Sequence, residues 1–182
     1  AFRFARAGRT AIIGSRKAER AVTSAEVVAA KAPAAIASGC GNEEATAQAG
    51  IVIISVPFEH TAGTVKGIKT SLREGQILVS MAVPLATAVG DGAVRTLGIW
   101  QGSCAEMVAS LVPAGVEVVS AFQNVSAHRL RDLENEVDCD IVVSGKKKAR
   151  ETVMGLCGLI PGLRGINGGL LSNAKIVEEM TA

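Results

Sequence analysis

The stretch Thr10-Ala11-Ile12-Ile13-Gly14-Ser15-Arg16-Lys17-Ala18-Glu19-Arg20 decides how the rest of the chain is read. Ala11, Ile12 and Ile13 form a short apolar run closed by Gly14-Ser15, and a helix-like segment follows, the pattern of a buried strand turning into a helix. Ser15 is suited to cap that helix. Arg16, Lys17 and Arg20 fall in or near the first helical turn. The helix dipole is already positive at that pole, so carboxylates belong there and cations are repelled. An anion docking on the turn removes the conflict: a phosphate held by Ser15, the first-turn N–H groups and the Arg16 guanidinium. The plainer alternative is a solvated, Lys/Arg-rich helix start.

Outward from that stretch, strand and helix alternate. Residues 1 to 7 read as a helix end with Phe2 and Phe4 or Ala5 on the buried side and Gly8 as its stop. The strand Thr10–Gly14 leads into a helix from Arg16 to Ala32 that stops at Pro33. Ser38–Asn42 reads as a loop and Glu43–Ala49 as a short helix. Ile51–Val56 is a continuous β-branched run, the mark of a strand buried on both faces. Further strands are expected at Gln76–Met81, Val116–Phe122, Ile141–Ser144 and Leu163–Ile166. Helices are expected at Glu59–Arg73, Ser103–Val112, Ser126–Leu133, Lys146–Leu159 and Leu170–Met180. Residues 85–102 carry four glycines and little periodicity, which predicts a long functional or mobile loop. The alternation predicts an α/β fold with one doubly wound parallel sheet and helices on both faces. A domain of residues 1–164 and the start of a helical segment at 165–182 are expected.

The 182 residues suffice for a sizeable core. A net charge of +2 and 3% aromatic residues argue against a nucleic-acid partner, through too little basic surface and too few stacking platforms. No apolar run reaches the roughly 18 residues of a membrane span. Cys40, Cys104, Cys139 and Cys157 form no C-x-x-C pair and have no histidine at zinc spacing. They read as reduced thiols of a cytoplasmic protein that binds no metal.

Ligands of open parallel sheets bind at the carboxyl ends of the strands. Those ends carry Gly14-Ser15-Arg16, Ser55-Val56-Pro57, Met81-Ala82-Val83-Pro84 and Ala121-Phe122-Gln123-Asn124. In nucleotide-binding folds an acid at the second strand end selects NAD, whereas an arginine accommodates the 2′-phosphate of NADP. Here the position holds Gly-Ser-Arg and no acid. Val56-Pro57 and Val83-Pro84 offer small apolar walls for a nicotinamide-like ring, or simply end their strands. His60 reads more readily as a helix-start residue than as a general acid or base, because only Glu59 is placed to orient it. Trp100 belongs to the core or forms a ring-stacking lid.

Several segments together, IIGSRKAER, VIISVPFEH, SMAVPL, GDGA with WQGSCAE, VVSAFQNVSAHRL, EVDCDIVVSG, IPGLR and LSNAKIVEEMT, resemble the NADPH-dependent reductases of the deazaflavin coenzyme F420. The resemblance runs from Ala1 to Ala182 in the same order and implies a Rossmann-like fold. It implies hydride transfer between nicotinamide C4 and deazaflavin C5, with NADP and coenzyme F420 as the coenzymes and no catalytic acid or base. The family's positions match Ser15, Arg16 and Arg20 for the 2′-phosphate, and Val56, Pro57, Asn124, Val125 and Ala127 around the nicotinamide. For the deazaflavin they match Val83, Pro84, Gly168, Gly169 and Leu170. The commonly histidine position of the β-exit turn is Gln123 here.

The resemblance also implies a first strand and a Gly-rich pyrophosphate loop that do not lie within these residues, and a homodimer at full length. Without that loop, the 182 residues are expected to bind NADPH weakly and to turn over little. A non-catalytic nucleotide-binding module, or an NADP-dependent reductase of another small substrate, stands as the alternative.

Overall fold

The computed structural model describes residues 1–32 and 36–182, so the helix stop expected at Pro33 lies outside the described residues. The chain opens with α1 (Phe2–Arg6), β1 (Ala11–Ser15), α2 (Ala18–Lys31), β2 (Ala37–Gly41) and α3 (Asn42–Gln48). Strands β1 and β2 pair in parallel, with Ala11 opposite Ala37 and Ser15 opposite Gly41. Ser38-Gly39-Cys40-Gly41 has poor strand propensity, so most of β2 reads as a loop in the sequence. Close packing overrides propensity here. A Cβ on Gly39 would lie 2.2 Å from the Ala21 carbonyl, so α2 rests directly on the bare strand backbone. Glycine inside a strand marks this kind of close approach.

The larger sheet comprises β3 (Ile51–Ile54), β4 (Ile77–Ser80), β5 (Glu117–Ser120), β6 (Cys139–Gly145) and β7 (Leu163–Asn167), in that spatial order. Between them run α4 (Phe58–Ile68), α5 (Cys104–Leu111), α6 (Ala127–Arg131) and α7 (Lys147–Cys157), and α8 (Ala174–Met180) follows β7. Strands β3, β4 and β5 are mutually parallel, as expected. Strand β6 is antiparallel to β5, and β7 is parallel to β6.

The single, wholly parallel sheet is therefore corrected twice. Among the described residues β1 and β2 form a separate two-stranded sheet, and the larger sheet is mixed. Alternation orders elements along the chain, but a ladder forms only where backbones come within about 4.8 Å. Among the described residues the only helix between β5 and β6 is the five-residue α6, with no long crossover helix packed on the sheet, and the chain enters β6 antiparallel to β5.

Period-two alternation on β4 and β5 buries both faces of the larger sheet. Leu78 and Val118 face Val65 and Ile68 of α4 and Val108 of α5. Val79 and Val119 face Val153 and Cys157 of α7, together with Ile141 and Val143 of β6. Strand β3 lies at the sheet edge, and Ile51, Val52 and Ile53 are only half-buried, not covered on both faces as the run suggested. Gln76 ties the two sheets' neighbourhoods together: its buried amide donates to the carbonyls of Thr46 (2.8 Å) and Ala49 (2.5 Å) at the end of α3.

The first helix departs from its sequence pattern. Ala5 is buried, but so is Arg3, while Phe2 and Phe4 are half-buried. The Arg3 guanidinium donates to the carbonyls of Arg129 (2.9 Å), Leu130 (3.3 Å), Asn135 (2.8 Å) and Asp132. A helix end leaves carbonyls without intrahelical partners, and a guanidinium has enough donors to satisfy several at once. Arg3 thereby fastens α1 to the end of α6.

Candidate functional site at the strand exits

At the exit of β1, Lys17 occupies the cap position of α2 and has no side-chain cap bond. Ser15 sits two residues too early to cap; its Oγ accepts the Lys17 N–H at 3.2 Å, closing a local turn. Arg16 and Arg20 are exposed and make no ion pair among the described residues. Glu19 is the one acid of the first turn. The cations thus stand open at an uncapped, positive helix pole.

The exits of β3, β4 and β5 share one edge, since the three strands are parallel and in register from Ile54 through Ser80 to Ser120. Val56 is half-buried, and exposed Pro57 caps α4. His60, third residue of α4, is exposed, and its ring makes no hydrogen bond among the described residues; it stands as a helix-start residue. Pro84 is buried beside half-buried Val83, and its carbonyl accepts the Leu97 N–H at 2.6 Å. The segment after it is organised: a 3-10 turn spans Ala86–Val89, and Leu85 bridges to Thr96. Trp100 is no part of the core; it is 98% exposed.

The exit of β5 is the most constrained. Phe122 is buried with φ at +70°, a left-handed backbone that costs a side-chain-bearing residue about 1–2 kcal/mol. It is held there by an edge-on contact with Phe4, ring centroids 6.3 Å apart. The buried Gln123 amide donates to Ser120 Oγ at 2.5 Å and reaches the Ser80 carbonyl at 3.5 Å. Asn124 is exposed and donates from Nδ2 to the Asp140 carbonyl at 2.8 Å. Val125 packs on the core, and exposed Ala127 begins α6.

Gly168 and Gly169 approach from the far side, just past the end of β7, which runs against β3–β5. Gly168 N–H donates to the Val143 carbonyl at 2.8 Å, and Gly145 N–H to the Gly169 carbonyl at 2.9 Å. A Cβ on Gly168 would lie 2.4 Å from Ser144 Oγ, so no larger residue fits. Leu170 is exposed. The pairing aligns Ser80, Ser120 and Ser144 in one lateral row, with Gly168 against its end. Three strand spacings put Gly168 roughly 14 Å from Ser80. Gln123 Oε1 and Ser144 Oγ are buried in this region without a hydrogen-bond partner. Unsatisfied buried acceptors and hydroxyls are rare and suit a site completed by a ligand or water.

Glu178 of α8 was not singled out in the sequence, and an acid near a chain end gives no signal there. It is buried, and its carboxylate accepts the N–H groups of Cys104 (2.8 Å) and Ala105 (3.2 Å) at the start of α5. Burial pushes its carboxyl up to about 7 against the pull of those two N–H groups. Burial, with Glu178 beside it, pushes the Cys104 thiol up to about 12, and burial lifts Cys157 to about 11. These thiols are poor nucleophiles at neutral pH. All four cysteines are free. Among the described residues no three His, Cys, Asp or Glu side chains converge as metal ligands, and no helix is long and apolar enough to cross a membrane.

Parallel strands exiting on one edge, helices on both faces and an open cationic turn after β1 define an α/β protein of the nucleotide-binding class. Residues 1–84 match the family described as NADP oxidoreductase, coenzyme F420-dependent. A curated relative from Methanocaldococcus jannaschii, the F420-dependent NADP reductase, is 43% identical over 93% of this chain and 78% of its own length. The protein of the same name from Methanothermobacter marburgensis is 37% identical over 100% of this chain and 82% of its own. The chain belongs to the F420-dependent NADP reductase family. Among solved structures, a hypothetical protein from Sinorhizobium meliloti superposes with a TM-score of 0.73 at 26% identity, covering 96% of this chain and 80% of that one. A structure from Arthrobacter sp. FB24 shares the fold at a TM-score of 0.78 and 20% identity, covering 99% and 84%.

Proposed function

We propose that this chain acts as an NADP-dependent reductase whose co-substrate is coenzyme F420. The observation that carries the reading is 43% identity, over 93% of the chain, with a curated reductase of that name. When bound, the two coenzymes supply the chemistry: a hydride passes between nicotinamide C4 and deazaflavin C5, so the protein's work is stacking, distance and exclusion of water.

The residues fit that task, since the exit of β1 offers unpaired cations and the exit of β5 holds orphaned buried polar atoms. Ser15, Arg16 and Arg20 would take the 2′-phosphate. Val56 and Pro57 would wall the nicotinamide, and Asn124, Val125 and Ala127 would close over it from the β5 turn. Gln123 and Phe122 preset that turn, which limits the reorganisation needed on binding. Val83, Pro84, Gly168, Gly169 and Leu170 would receive the deazaflavin.

We also propose a homodimer at full length, in the cytoplasm. Exposed Leu170, Ile176 and Met180 support it, because Ile176 and Met180 lie one turn apart on α8 and ask for a cover. A division of the chain at residues 164 and 165 belongs to the same proposal. Strand β7 straddles that point, and the α8 residue Glu178 binds the start of α5. The test is the absorbance change of oxidised F420 on mixing with NADPH, with NADH as control. Slow reduction by NADPH in preference to NADH is expected, and faster reduction once the upstream Gly-rich loop is restored; no reduction by either coenzyme with that loop restored overturns the reading.

A further inference from the structure

Trp100 is the chain's single tryptophan, and its exposure is built into the fold. It occupies a tight turn in which Gly102 N–H donates to the Ile99 carbonyl at 3.0 Å. Gly102 has φ at +103°, and a Cβ there would lie 2.6 Å from Glu106 Oε2. That carboxylate is held in turn by Ser103 Oγ at 2.9 Å, while the same hydroxyl accepts the Glu106 N–H at 3.1 Å. The turn is thus pinned to the first turn of α5 by the Ser103 N-cap and its bond to the Glu106 carboxylate.

Both limbs of the segment are anchored at the carboxyl end of β4. The outgoing limb is held by the Pro84 carbonyl on Leu97 and by Ala86 N–H on the Arg95 carbonyl, at 2.8 Å. The returning limb ends at Cys104, whose thiol lies 4.0 Å from the hydroxyl of Ser80, the last residue of β4. Trp100 lies four peptide steps before Cys104, a reach of at most about 14 Å. Trp100 is thereby kept on the loop that leaves the carboxyl end of β4, close to the stretch that carries Val83 and Pro84. The same segment leaves Val89 and Val94 exposed. A solvent-facing indole on an anchored turn is a platform for a flat ring.

We propose that Trp100 is the stacking face for the deazaflavin ring at the exit of β4, an assignment that rests on the function proposed above. The nicotinamide half of the cofactor lies with β3 and β5 in that function, which leaves the planar tricycle as the ring that meets the β4 loop. Trp100 is the sole indole, so its emission reports the contact directly. Titrating the whole chain with oxidised F420 is expected to quench that emission saturably. Trp100→Ala is expected to raise the KM for F420 by about 5- to 100-fold, as loss of one aromatic stack does. NADPH binding, followed by the nucleotide's own fluorescence, is expected to stay unchanged, and Trp100→Phe to recover most of the KM.

Unquenched emission at F420 concentrations that support turnover overturns the assignment while leaving the function standing. So does an unchanged KM in Trp100→Ala. Emission that shifts with protein concentration alone, before F420 is added, also overturns it, by making the indole a contact between copies. Absence of F420 reduction by the chain with its upstream Gly-rich loop restored defeats the function itself, and the assignment with it.

Discussion

In the two-stranded sheet, β2 is built from Ala37, Ser38, Gly39, Cys40 and Gly41; in the larger sheet, β4 is Ile77, Leu78, Val79 and Ser80. The first uses absent side chains, so that α2 rests on bare backbone at Gly39. The second uses branched side chains, so that Leu78 and Val79 fill cores on opposite faces. The strand exits differ in the same way. Beyond β1 the chain offers open cations on an uncapped helix. Beyond β5 it offers a constrained turn, with Phe122 and Gln123 buried and exposed Asn124 bonded to the Asp140 carbonyl. The contrast suits the two ends of a dinucleotide: a charged group is gripped from solvent, whereas a reacting ring needs a rigid, dry wall.

The contrast can be broken most severely in the larger sheet. Leu78→Ala, at a fully buried position between α4 and α5, is expected to cost about 2–5 kcal/mol. Urea unfolding measures this, and a loss well below that range would mean that the α4 face collapses to fill the cavity. Next is the exit of β1. Arg16→Ala is expected to weaken NADPH binding by about 1.5–3 kcal/mol, with NADH binding unaffected. An equal loss for both nucleotides would move the 2′-phosphate away from Arg16.

In the small sheet, Gly39→Ala is expected to cost about 1–3 kcal/mol, because its Cβ meets the Ala21 backbone and no flexible side chain can yield. The same change at exposed Gly67, where a Cβ meets nothing within 4 Å, serves as the control and is expected to be neutral or stabilising. The smallest effect is expected from Glu178, where α8 meets α5. Its folded carboxyl is raised from 4.5 to about 7, chiefly by burial. The protonated form is therefore favoured on folding, and its contribution is full below 4.5 and lost as pH rises through 7. The stability of the unaltered chain relative to Glu178→Gln should decline between pH 5 and 8. A difference that grows with pH would show that the two α5 N–H groups outweigh burial.

Much of this was legible in the chain. The apolar runs Ala11–Ile13 and Ile51–Val56 located strands, the second ending at Ile54, and Pro57 and Pro84 stand just past the ends of β3 and β4. The cationic turn at Arg16 and Arg20 was visible because it violates the dipole rule locally, and local violations need no knowledge of distant residues. Strand β2 was not legible, since glycine reads as a breaker unless the helix that needs its bareness is in view. Arg3 and Glu178 were not legible either, because an ionisable side chain reads as surface until its buried partners are known.

Period-two and helical patterning, strand ends and the family's ordered segments were thus present in one dimension, because each depends on neighbours along the chain. The pairing of β1 with β2 apart from the larger sheet, and the reversal of β6, depend on which backbones approach within ladder distance. So do the exposure of Trp100 and the lateral row from Ser80 to Ser144. These are contacts between residues far apart in sequence, and local propensity carries no information about them until the chain has closed on itself.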